Sequence, residues 1–142
     1  MTEKAKEQPI PQGKYLPAVR TNNLIYTSGM TPRQAGKLIY SGQIRASDLA
    51  DRHKNAIQLA TLNALAAAQS CLQKNEKIAK VIQLNVYLNT ENQFSAHTKM
   101  ADFATDILIE ELGSNGIGSR VVIGVASLPS NAPVEIALIA KI

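Results

Sequence analysis

Two ionisable residues stand out near the end of the chain. In the stretch SRVVIGVASLPSNAPVEIALIAKI, Arg120 and Glu135 are the only charges before Lys141. Arg120 opens an apolar run directly after a glycine-bearing loop at 113–118. A guanidinium held there can fork onto a carboxylate with two parallel hydrogen bonds. Glu135 opens the neighbouring strand, where a carboxylate can hold and deprotonate a water molecule, and the two adjacent strand starts are expected to converge on one cleft. The alternative is a solvated surface pair, typically worth ~0–1 kcal/mol. The pattern alone favours that blander reading.

Other reactive residue types offer less. No G-x-S-x-G elbow is present, and Ser28 lies in TSGM, after a strand and before a turn. His53 falls on the polar side of the first helical segment and His97 early in the second. Neither is placed as the buried, oriented imidazole that a Ser-His-Asp triad needs. Cys71 sits on an apolar helix face, a packing position. Two isolated histidines and one cysteine do not supply a metal site. The glycines of GSNGIGS follow a helix, whereas phosphate-cradling loops follow a strand.

The elements that must position Arg120 and Glu135 can be traced by periodicity. NLIYTS (23–28) reads as a strand, paired through the PRQAGK turn with LIYSG in a hairpin. Residues 47 to about 74 read as a helix of about 26 residues, with Ser47 and Asp48 as N-cap candidates. Its apolar face is Ile57, Ala60, Ala64, Ala68, Cys71 and Leu72. KIAKVIQLNVYLN is a strand with Ile78, Lys80, Ile82, Leu84, Val86 and Leu88 on one face. A second helix runs from about Phe94 to Leu112 on a stripe of Met100, Ala104, Ile107 and Leu108, and Gly113, Gly116 and Gly118 end it in a loose loop. Strands over about 119–126 and 134–142 complete a ββαβαββ order. Two helices cannot cover both faces of a sheet, so this pattern predicts an α+β domain with both helices on one face. The second face, with Leu84, Val86, Val121, Ile123 and Val125 or their alternates, then needs a symmetric partner.

Bulk composition sets outer limits. At 142 residues, 45% hydrophobic and 18% charged, the chain suits one globular domain. The first 12 residues, charged and bearing Pro9 and Pro11, read as a flexible leader before a single domain over 13–142. One cysteine fits a reducing compartment, and no signal peptide or membrane-length apolar run is visible, which together predict a cytoplasmic protein with no membrane role. The net charge of +4 is spread over scattered basic residues, and Trp is absent. That argues against a designed nucleic-acid surface.

These residues resemble a known family. Ser28-Gly29 after a strand, Arg120 eight residues before Leu128-Pro129, and Val134-Glu135-Ile136 six residues further on look like the Rid family, also called YjgF or L-PSP endoribonuclease-like. GKYLPAV is similar to the family's G-x-Y segment and places Tyr15. The resemblance covers about residues 13 to 142 and is to a divergent branch, many of whose members lack an assigned function. It implies a chorismate-mutase-like α+β fold and a homotrimer whose sheets line the centre, with ligand clefts between subunits. It also implies hydrolysis of small 2-imino acids to 2-oxo acids and ammonia, with no cofactor and no metal.

Carried over by position, the resemblance makes Arg120 the clamp for the substrate carboxylate. Glu135 orients the attacking water, and Tyr15 lines the cleft or assists proton movement. Ser28 and Gly29 shape the floor, and the Val122 backbone contacts the imine nitrogen. Common deaminases of the family carry cysteine where Val122 stands, so only a backbone role transfers. The alternative function is a non-enzymatic trimer that binds a small carboxylate metabolite. Endoribonuclease activity ranks third, because no plausible histidine pair supports it.

Overall fold

The computed structural model describes residues 8–142. Most of the expected leader, residues 1–7, lies outside the described residues. Seven of the elements build the body. Strands β1 (Ala18–Thr21) and β2 (Leu24–Thr27) form a hairpin turned at Asn22, whose φ of 51° suits asparagine. Helix α1 (Lys54–Gln69) follows a short second hairpin, β3 (Arg33–Gln34) and β4 (Lys37–Leu38). Then come β5 (Lys80–Asn89), α2 (His97–Leu112), β6 (Ser119–Val125) and β7 (Val134–Lys141).

The five-stranded sheet has the order β1-β2-β7-β5-β6. Every pairing is antiparallel except β5 with β6, which α2 joins as a crossover. The expected partner of NLIYTS was LIYSG; the actual partner is β1. LIYSG gives only Leu38 to the separate small hairpin, whose second strand it shares with Lys37. Ala35 and Gly36 close that hairpin at φ 52° and 79°, so PRQAGK folds on itself instead of spanning two long strands.

Both helices pack on one sheet face, α1 over β7 and β2 and α2 over β5 and β6. The fold is α+β, as the element order predicts. Val134, Ile136, Leu138 and Ala140 alternate along β7 into this core, where Val86 and Leu88 of β5 join them. Each fully buried Ile or Leu contributes about 1.5–3 kcal/mol. Four alanines of α1, Ala60, Ala64, Ala67 and Ala68, are fully buried and let the helix lie close.

Three expectations change. Helix α1 has 16 residues, not about 26. Asp48 does not cap it, because its carboxylate accepts from the Arg45 N–H and contacts His53 Nε2, both at 2.9 Å. A β-bulge between Val81 and Gln83 shifts the register of β5, so Val81 is buried and Ile82 faces out. Leu84 and Val86, candidates for the open face, therefore face the helices. Val121 and Ile123 do lie on the open face, with Val19 and Tyr26, and these four side chains are 43–52% exposed. Among the described residues no helix is long and apolar enough to cross a membrane.

A bidentate ion pair ties β1 to the segment after α1. Arg20 donates Nη1 to Glu76 Oε1 at 2.6 Å and Nη2 to Oε2 at 2.9 Å. Arg20, helped by the Gln73 N–H, holds the Glu76 carboxyl at about 2, well below its ordinary value. A depressed carboxyl pKa adds stability above the unfolded value, and that stability is lost as pH falls toward the folded one. Glu76→Gln should therefore destabilise the protein near neutral pH, with the gap to the parent closing below about pH 4. Urea unfolding of both proteins across this range reads the effect, and a gap that stays constant to the acid end contradicts it.

Candidate functional site

Glu135 is the second residue of β7. Its neighbours Val134 and Ile136 point into the core, so Glu135 faces the other way. It lies in a cross-strand row with Tyr87 and Ile123 on the open face. Beyond Thr27 the chain leaves β2 and rejoins β7 at Met30 through reciprocal bonds with Ile136, at 2.7 and 2.8 Å. The Ser28-Gly29 excursion passes directly over Glu135. A Cβ on Gly29 would stand 2.5 Å from Glu135 Cδ and 2.7 Å from Oε2, so any larger residue there would displace the carboxylate. Among the described residues no group hydrogen-bonds the Glu135 carboxylate. Burial pushes its pKa up from the ordinary glutamate value.

The Ser28 hydroxyl donates to Leu16 O at 2.6 Å and its N–H to Pro17 O at 2.8 Å. This anchors the segment that carries Tyr15. The Tyr15 ring is exposed, and its hydroxyl accepts from the Gln12 N–H at 3.1 Å.

Arg120 occupies the edge strand β6, in register with Leu84. Its side chain turns to the helix side, where Nη1 donates to Asp102 Oδ1 at 2.8 Å and to Thr105 Oγ1 at 3.0 Å. Asp102 and Thr105 are three apart on α2 and so share one helix face. Beside them lies a hollow of about 150 Å³ lined by Leu84, Thr105, Gly116, Ile117, Gly118 and Arg120. The glycine loop is tight, not loose. Gly113 to Gly116 forms a 3-10 turn, and a Cβ at Gly116 would strike Leu108 O. A Cβ at Gly118 would come within 2.5 Å of Val81 O.

The same side of β6 carries Val122 and then Gly124, where a Cβ would lie 2.6 Å from Thr90 Oγ1 and 2.9 Å from His97 Nε2. His97 also packs edge-on against Phe94. His53 contacts Asp48 instead, so the two histidines belong to different surroundings.

Arg120 and Glu135 do not converge within one chain, contrary to the expected pair of adjacent strands. β5 lies between β6 and β7. Leu84, in the row of Arg120, and Tyr87, in the row of Glu135, are three apart on β5, an odd step that puts the rows on opposite faces. Asp102 and Thr105 were missed in the sequence. Their only signal was a polar pair at helical spacing beside the apolar stripe of α2.

Comparisons with known proteins match this architecture. The family described as "YjgF/chorismate_mutase-like, putative endoribonuclease" matches residues 5–142. A 2-iminobutanoate/2-iminopropanoate deaminase of Dermatophagoides farinae is 28% identical over 128 residues, which is 90% of this chain and 85% of that protein. A crystal structure of a protein of unknown function from Agrobacterium tumefaciens superposes with TM-score 0.84 at 31% identity, covering 95% of this chain and 85% of that one. The YjgF gene product of E. coli has TM-score 0.69 at 20% identity, covering 96% and 94%, a likeness of fold. The chain belongs to the YjgF/chorismate mutase-like family, also known as the Rid family.

Proposed function

We propose that the protein is a hydrolytic imine deaminase that converts small 2-imino acids to 2-oxo acids and ammonia, in clefts between the subunits of a homotrimer. The observation that carries this reading is Glu135, a half-buried carboxylate without a described partner, packed under Gly29, with its proton affinity raised by burial. Such a group is suited to take a proton from water. The similarity to an iminobutanoate deaminase supports the same chemistry.

In this reaction Arg120 clamps the substrate carboxylate. Glu135 accepts a proton as water oxygen bonds to the imine carbon, giving a tetrahedral amino alcohol. Protonation of its nitrogen and collapse of the hydroxyl to a carbonyl break the C–N bond. Ammonia and the 2-oxo acid leave, and one water is consumed. Tyr15 lines the cleft or moves protons, Ser28 and Gly29 form its floor, and the Val122 backbone meets the imine nitrogen. The steps call for no cofactor and no metal. Fixing water and carbon together and clamping the anionic end lowers the barrier through orientation.

The opposite faces of Arg120 and Glu135 give the reading its quaternary form. A site that uses both needs Arg120 of one copy and Glu135 of the next. The open apolar face bearing Val121 and Ile123 is suited to burial in a closed assembly. We take 13–142 as the working unit and, on the single cysteine, a cytoplasmic setting.

A second reading, a trimer that binds a small carboxylate without turnover, is favoured by one observation. Arg120 is held and partly buried beside a hollow. Nuclease action is not favoured: His53 and His97 are not paired for acid–base cleavage. The test is an assay in which an amino-acid oxidase supplies 2-imino acids and ammonia release is followed. Acceleration above the spontaneous rate is expected. No acceleration with any imino acid overturns the deaminase reading.

A further inference from the structure

The guanidinium of Arg120 is not simply exposed at a strand edge. Both bonds from α2 fall on one nitrogen, since Asp102 Oδ1 and Thr105 Oγ1 each accept from Nη1. Nη1 carries two hydrogens, so two acceptors consume it. What remains is the edge formed by Nε and Nη2, whose N–H bonds run parallel and match a carboxylate fork. The end-on fork, which would use Nη1 with Nη2, is closed to a ligand.

The holders are themselves rigid. Ala101, Phe103 and Ala104, interleaved with them on α2, are buried in the core and fix the helix against β5 and β6. The Asp102 side chain is 58% exposed. It fills no core space, so its contact with Arg120 cannot be explained as packing. Its charge costs little desolvation at that exposure.

We infer that Asp102 and Thr105 are positioning residues that lock Arg120 by Nη1 and present its Nε–Nη2 edge to a monocarboxylate substrate. The inference rests on the proposed role of Arg120 as the carboxylate clamp. An arginine has several rotatable bonds, and ordering it before binding removes part of the entropy cost of capturing the ligand. Misplacement of the clamp loosens the substrate without touching the groups that do the chemistry.

The experiment compares wild type with Asp102→Asn, Thr105→Val and Asp102→Glu. Steady-state kinetics on a 2-imino acid are run beside calorimetric binding of 2-oxobutanoate, the product-type ligand. Thermal unfolding checks the fold. Asp102→Asn should raise KM and weaken 2-oxobutanoate binding about tenfold while kcat stays nearly constant. Thr105→Val should shift both in the same direction by less, and Asp102→Glu should recover most of the loss. Unchanged KM and binding in Asp102→Asn overturn the positioning role and leave the deaminase reading intact. Tighter binding overturns it too, by making Asp102 a competitor for the guanidinium. If wild type binds 2-oxobutanoate without turnover and Asp102→Asn weakens that binding, the positioning role stands and the deaminase reading fails. If wild type neither accelerates hydrolysis of a 2-imino acid nor binds 2-oxobutanoate, both fail.

Discussion

Glu135→Gln lowers imine hydrolysis about 10²–10⁴-fold and leaves the protein at least as stable as its parent near neutral pH. The two halves of this expectation have one cause. Burial raises the Glu135 pKa, so folding disfavours the ionised carboxylate. The charged group therefore costs stability; the cost is full above the folded pKa, shrinks as pH falls from there, and is gone only below the unfolded pKa. Glutamine has the same shape and no charge, so it fits under Gly29 and removes the cost. It cannot accept the proton of water. Initial rates and thermal unfolding measured on the same preparations read both halves. Lost activity with lost stability would make Glu135 a structural residue, and retained activity would dismiss it as the base. The acid limb of kcat/KM in wild type should also lie above the ordinary glutamate range.

Arg120→Ala lowers kcat/KM about 100-fold, chiefly through KM, because a charge-assisted fork to the substrate is lost. Arg120→Lys recovers little, since an ammonium is a point charge without the planar pair of donors. The diagnostic control is a neutral substrate. Wild type should lose most of its advantage on an imino amide, which lacks the carboxylate, and Arg120→Ala should treat acid and amide nearly alike. An Arg120→Ala variant that still prefers the acid would show that another group holds the carboxylate. The released Asp102 is largely exposed, so the substitution strands no buried charge and the fold should persist.

The sequence carried the layers of this fold and the identities of its two charged residues. It did not carry their geometry. Strong periodicity made α2, β6 and β7 legible, and Met100, Ala104 and Leu108 are fully buried as their spacing predicts. The four-residue strand β1 was hidden because AVRT shows too little alternation to register, and its pairing depends on a turn at Asn22. The N-terminal half-turns expected of α1 were lost to a local competitor, the bonds of Asp48 to Arg45 and His53. The β5 bulge could not be seen, because a one-residue insertion changes the facing of every earlier residue without changing composition.

The strand order between Arg120 and Glu135 escaped the sequence for a related reason. Nearness along the chain suggested neighbouring strands for Arg120 and Glu135. The actual strand order inserts β5, and the register sets the two side chains on opposite faces. Gly29 was singled out from the family resemblance, and its steric reason, the carboxylate directly beneath it, is a tertiary fact.

The central claim is that each site takes Arg120 from one chain and Glu135 from another. It is tested by co-expressing Arg120→Ala and Glu135→Gln chains in equal amounts and measuring imine hydrolysis by the mixed oligomer. Random assembly should leave about one quarter of the shared sites with both residues intact, and so restore about a quarter of wild-type activity. Activity no higher than that of the separate variants would place both residues of each site in one chain and contradict the account.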